Sequence, residues 1–101
     1  MKGEKKRRLE AAGWTETTVE EFLSLSKADT QYIETKLALS RLLRLTRQRR
    51  RLTQTRAAAL LKTSQSRFAR MEAGDPSVSL DLLVRGLFAL GASWSDLLEA
   101  A

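Results

Sequence analysis

Two helix-start signals stand eleven residues apart in this chain: Thr53 precedes QTRAAALLK, Ser64 precedes QSRFARMEA, and Gly74 follows the second stretch. A Thr or Ser hydroxyl accepts from the free N–H groups of a first helical turn, so each marks a start. Glycine takes up the left-handed conformation at least cost, so Gly74 marks a stop. The spacing predicts one helix of about nine residues ending near Lys62 and Thr63, a turn of about three residues or fewer, and a second helix over 64–73. Two short helices joined so tightly form a helix-turn-helix outline. The second helix is held down by Phe68 and Met71, while Gln65, Ser66, Arg67 and Arg70 lie on its outer side, a polar surface suited to contact base edges in DNA.

The rest of the chain also reads as helix. Asp75, Pro76 and Ser77 form a loop, and Ser79 caps a helix with a Leu80, Leu83, Leu87, Leu90 stripe and Gly91 just past its end. Ser93 with Asp96 opens a last short helix carrying Trp94, Leu97 and Leu98. Upstream, Thr17 with Glu20 has the spacing of a capping box, followed by Val19, Phe22 and Leu23 on a short amphipathic turn. Ser26 to Asp29 is a looser cap, predicted to open a helix running to about residue 50. In that helix Leu39, Leu42, Leu43 and Thr46 share one face, and Ile33 and Leu37 fall on another. A helix apolar on two sides must be covered twice, so residues 15–35 are expected to fold back on the domain or to meet a partner. The expected organisation is a partly helical N-terminal extension over 1–35 and a helix-turn-helix domain over 36–101. With strand-favouring residues scarce and Leu, Ala, Arg and Glu abundant, the class is all-α.

The chain has no Cys and no His, so thiolate metal sites, disulfides and the commonest general base are excluded. No catalytic residue, metal or cofactor is expected, and the chain reads as a binding protein rather than an enzyme. The cluster Lys5, Lys6, Arg7, Arg8 is followed by no apolar segment, and no apolar run suits a membrane, so a cytoplasmic location is expected. The net charge of +6 is unevenly spread: residues 35–71 carry eleven basic groups and no acid, whereas 72–101 carry one basic and five acidic groups. Basic side chains on one surface displace counterions from nucleic acid and gain affinity by doing so.

The stretch LTQTRAAALLKTSQSRFARMEAG (52–74), followed by SLDLLVRGLFALGAS (79–93), resembles the XRE family of helix-turn-helix proteins, which includes the phage repressors and Cro. The resemblance covers roughly residues 37–98 and implies a five-helix, lambda-repressor-like domain. A second resemblance, of TVEEFLSLSKADTQYIETKLALSRLLR (18–44) to the extension of HigA-type antitoxins, implies a possible partner toxin of the RelE fold. Carried onto this chain, the family's base readers fall on Gln65, Ser66, Ala69 and Arg70. Its closing acid falls on Glu72, paired with Arg47, and the Gln that braces a phosphate contact and the first reader falls on Gln54, making Gln54 and Gln65 neighbours. Arg67 reads a base or holds a phosphate. Ala58 matches the small residue at the helix crossing, and Leu61, Phe68 and Met71 match the apolar pins. Three positions depart from the family. Lys62 replaces a turn Gly and is expected in a left-handed conformation at about 1 kcal/mol; Thr63 replaces a Val; Ala57 replaces a Leu whose space Leu60 is expected to refill.

Gln54 stands at a helix N-terminus, where the dipole favours a phosphate. Arg49, Arg50, Arg51, Arg56 and Lys62, with Arg44, are candidates to grip the DNA backbone on either side of the groove. The apolar surplus of Val84, Phe88, Trp94, Leu97 and Leu98 predicts a homodimer. The expected function is a sequence-specific regulator of transcription, a repressor on double-stranded DNA, acting as an antitoxin that represses its own operon. The alternative is mainly a toxin-neutralising module working through Trp14, Phe22, Leu23, Leu25, Tyr32 and Ile33 of the extension. Structured RNA fits the charge but finds few exposed aromatics to stack on.

Overall fold

The structure, a computed structural model, describes residues 16–101. Trp14 and the basic cluster at 5–8 lie outside the described residues. Within them the chain is helical, with five helices and no strand: α1 (Glu16–Arg49), α2 (Gln54–Leu60), α3 (Gln65–Ala73), α4 (Leu80–Ala89) and α5 (Trp94–Ala100). The chain divides into two compact units, Met1–Ile33 and Glu34–Ala101.

The expected break before Asp29 is absent, and α1 passes through Ser26 and Asp29 as helix. No Gly or Pro stands between residues 14 and 49, so neither helix breaker interrupts α1 once it has begun. Thr30 also turns its hydroxyl back to the Ser26 carbonyl at 3.0 Å, a bond made inside a helix rather than at its start. Thr17 is likewise inside α1, one residue past its first.

The second unit is closed by one apolar cluster. It takes Leu39, Leu42 and Leu43 from α1, Ala57 and Ala58 from α2, Phe68 and Met71 from α3, Leu83, Leu87 and Leu90 from α4 and its cap, and Leu97 from α5. Phe68, Met71 and Leu43 are fully enclosed, each worth about 1.5–3 kcal/mol by burial. Ala57 is buried as well, but Leu60 is 49% exposed, so it does not refill the space of a larger residue at position 57. Leu60 is the last residue of a seven-residue helix, shorter than expected, and the side chain that packs inward at that end is Leu61. Gly86, in the middle of α4, accounts for a close approach that its sequence context did not announce. A Cβ there would lie 2.9 Å from Leu61 Cδ2 and 3.0 Å from Met71 Cε.

Four helices start on hydroxyl caps. Thr53, Ser64, Ser79 and Ser93 accept from the backbone N–H of Arg56, Arg67, Leu82 and Asp96, each at 3.1 Å, and such caps are worth about 1 kcal/mol apiece. Four helices also stop alike. Leu52, Thr63, Asp75 and Ala92 donate to the carbonyls of Arg47, Ala58, Arg70 and Leu87, five residues back. The residue before each donor is left-handed: Arg51 (φ 55°), Lys62 (φ 55°), Gly74 (φ 76°) and Gly91 (φ 93°). Two of the four stops therefore use a long basic residue where glycine would be unstrained. Lys62 was expected there; Arg51 was not.

Candidate nucleic-acid interface

α2 and α3 pack on each other, with Ala57, Ala58 and Phe68 buried in the same cluster, which leaves α3 lying on the surface with one side outward. At 3.6 residues per turn, Phe68, Met71 and Glu72 form its inner side, and all three are buried. The opposite crest then consists of Ser66, Arg70 and Ala73, with Ala69 beside it. Ser66, Arg70 and Ala73 are exposed and Ala69 is half-buried. Gln65 and Arg67 fall on the two flanks, almost opposite each other. The first flank faces α2; the second faces the loop between α3 and α4.

The α2 flank carries a continuous polar relay. Gln65 Nε2 donates to Gln54 Oε1 at 2.8 Å, and Gln54 Nε2 donates to Glu72 Oε1 at 3.0 Å. Arg47 donates from Nε to Glu72 Oε2 and from Nη2 to Oε1, the latter at 3.1 Å. Its Nη1 reaches the Leu52 carbonyl at 3.0 Å, tying the turn before α2 into the same cluster. Arg44 Nε stands 3.9 Å from Glu72 Oε1. The Glu72 side chain is 1% exposed and that of Arg47 15%. A buried ion pair with this many bonds acts mainly by geometry, because removing either partner strands a charge. The polarity of the relay follows from chemistry. Glu72 only accepts, so the amide N–H₂ of Gln54 must face it, and the Gln54 oxygen must then face Gln65. One N–H and the carbonyl oxygen of Gln65 remain for an outside partner.

The basic residues separate into two groups. Arg51, Arg56 and Lys62 are exposed: Arg51 in the turn before α2, Arg56 within its first turn and Lys62 in the turn that follows it. Arg49 and Arg50 instead border a cleft with Leu90, Gly91, Ala92 and Asp96 at the junction of α4 and α5. Arg50 Nη1 donates to the Leu90 carbonyl at 3.0 Å, so its head group is already bound to the protein. Asp96 receives the Ser93 N–H at 2.8 Å. Bonds from Ser93, and then the charge of Arg49, hold its carboxyl below the ordinary carboxylate value. The Arg50 bond spans forty residues, and no local signal announces it. The Gln54 to Glu72 link also came only from the fold.

The candidate dimer residues divide too. Leu97 is in the core and Val84 packs against it, whereas Phe88, Trp94 and Leu98 are 47%, 63% and 60% exposed. No helix among the described residues is long and apolar enough to cross a membrane.

A family profile described as a helix-turn-helix domain matches residues 38–101, more than half of the chain. No curated protein and no solved structure matches it.

Proposed function

The chain belongs to the helix-turn-helix domain family, and from that premise we propose that it is a sequence-specific DNA-binding regulator of transcription, of the XRE type, whose helix α3 reads the major groove. The observation that carries this reading is the crest of α3: polar and exposed at Ser66 and Arg70, and flanked by an amide whose orientation a buried acid dictates. A side chain held in one orientation loses little freedom when it meets a base, which favours discrimination. Gln65 keeps one donor and one acceptor, the pattern that adenine matches, and Arg70 offers the paired donors that guanine matches. Arg51 and Arg56 grip the backbone around the α2 N-terminus, and Lys62 does so from the turn between α2 and α3. The chemistry of the chain is binding; it is not an enzyme, and it works in the cytoplasm without a cofactor.

Repression through a homodimer is part of the proposal. Phe88, Trp94 and Leu98 supply an apolar surface at α4 and α5, and a two-fold pair of recognition helices would sit on half-sites one turn apart, about 34 Å. Selection of bound duplexes from a random pool tests the whole reading. A palindromic consensus is expected; recovery of unrelated sequences refutes it.

A second reading has its own observation. Leu25 and Ile33, on the third and fifth turns of α1, are 66% and 59% exposed, large apolar side chains on a helix that continues into the domain. They favour a protein partner, and with the HigA-like extension that partner is a toxin of the RelE fold. Co-expression with a RelE-fold protein and gel filtration tests it: a joint peak lost on Leu25→Glu with Ile33→Glu supports it, and independent elution ends it.

A further inference from the structure

We propose that Arg67, together with the Ser64 hydroxyl, holds a backbone phosphate of duplex DNA in the groove between α3 and the 75–78 loop, and does not read a base. The inference rests on the DNA-binding reading above and assigns a separate task to one of its arginines.

The first argument is placement. When a helix lies in a groove with its crest toward the bases, its flanks face the two strands. Arg67 is on the flank away from Gln65, with the crest of Ser66 and Arg70 between the two. Its side chain borders an open groove with Ser64, Arg70, Ser77, Val78 and Leu82. The far wall is firmly held. Lys36 Nζ donates to the Pro76 carbonyl at 3.3 Å, Ser77 N–H to Asp75 Oδ1 at 2.9 Å, and Val78 N–H to the Asp75 carbonyl at 3.0 Å.

The second argument is charge. Among the described residues no acid or carbonyl holds the Arg67 guanidinium. Arg70 differs, since Asp75 stands near enough for their charges to interact. The Asp75 carboxyl lies below its ordinary value, first through the bonds from Ser77 and then through Arg70. Asp75 is therefore ionised at neutral pH and disfavours an anion beside Arg70. The Arg67 and Ser64 end is left as the attractive one. There the Ser64 oxygen accepts from the Arg67 N–H at 3.1 Å, which anchors the backbone of Arg67 and leaves the hydroxyl hydrogen to donate outward. A planar guanidinium beside a hydroxyl donor suits a phosphodiester, two of whose oxygens accept.

The test uses the full chain and duplexes selected by the wild type. Arg67→Ala is expected to weaken selected and random duplexes by the same factor and to leave the base preferences of a new selection unchanged. It should lower the salt slope by about one unit, so that its deficit against wild type shrinks about 3.5-fold between 50 and 200 mM salt. Replacing phosphates singly by uncharged methylphosphonates should identify one position that matters to wild type and not to Arg67→Ala. Arg67→Lys should keep the slope. Arg67 is exposed, so a melt matching that of wild type certifies the fold. A changed preference at one base pair with an unchanged slope overturns the inference and makes Arg67 a reader. An Arg67→Ala protein indistinguishable from wild type overturns it as well. In both cases DNA binding itself stands, whereas a wild type that selects no duplex ends the underlying reading too.

Discussion

Removing Glu72 should damage both stability and recognition, and the two can be separated. Glu72→Ala leaves the Arg47 guanidinium, 15% exposed, without its carboxylate, at a cost of about 3–5 kcal/mol. Domains of this kind have only about 5–15 kcal/mol in hand. The melting temperature should fall by about 12–40 °C, at about 4–8 °C per kcal/mol for a domain of this size. Arg47→Met should cost as much, since it strands a carboxylate that is 1% exposed. The pair Arg47→Met with Glu72→Met strands no charge. It loses the bond to the Leu52 carbonyl and the one from Gln54 to Glu72, about 1–3 kcal/mol for each group left buried and unsatisfied. The double variant is therefore expected to be more stable than either single one in urea denaturation. Its binding to selected duplexes should stay impaired, because no acceptor remains to orient Gln54 and through it Gln65. Additive losses, with the double variant the least stable of the three, would refute the argument that a stranded charge dominates. Full recovery of DNA affinity in the double variant would refute the orienting role of the relay.

Arg70→Ala should relax preference at one base position by about 1–3 kcal/mol, read by titrating selected duplexes changed one base pair at a time; equal loss on random duplexes contradicts the assignment. Arg50→Ala should lower stability by about 1 kcal/mol through the lost bond to Leu90 while leaving the salt slope of DNA binding nearly unchanged, and a slope lower by a full unit would return Arg50 to the phosphate contacts. Lys62→Gly relieves a left-handed side chain. Chemical denaturation should show a gain of up to about 1 kcal/mol, with weaker binding to all duplexes at low salt. Asp96 has a lowered folded pKa, so its contribution to stability is complete above the ordinary value of 3.8 and is lost as pH falls through the folded value. Asp96→Asn should thus be less stable than wild type at pH 7 and converge on it as the pH falls through the folded value, as melts from neutral into acid pH would show.

The boundaries of the short helices were legible because their causes are local. A hydroxyl before a helix finds its donor three residues on, and a left-handed stop finds its carbonyl five residues back, so Thr53, Ser64, Ser79, Ser93 and Gly74 could be read along the chain. The same local logic misplaced the start of α1. Ser26 and Asp29 are residues that cap helices, but a cap acts only where the helix has a reason to begin, and here the preceding residues were already helical. The stripe of Leu39, Leu42 and Leu43 was equally visible, since a period of 3.6 depends on nothing outside the helix.

What the sequence by itself determined is an all-helical chain with two short, tightly linked helices, a polar face on the second and a basic middle third. Only the tertiary structure decided which polar groups meet. Arg49, Arg50 and Arg51 are adjacent and chemically identical, yet Arg50 reaches the carbonyl of Leu90 and Arg51 closes a turn in a left-handed conformation. Arg67 and Arg70 look alike in the sequence and border one groove beside a loop that the fold brings alongside, yet only Arg70 has Asp75 near enough for their charges to interact. The reason is that capping and periodicity act over a few residues, whereas the partner of a long side chain is set by whichever distant element the burial of apolar surface places within its reach.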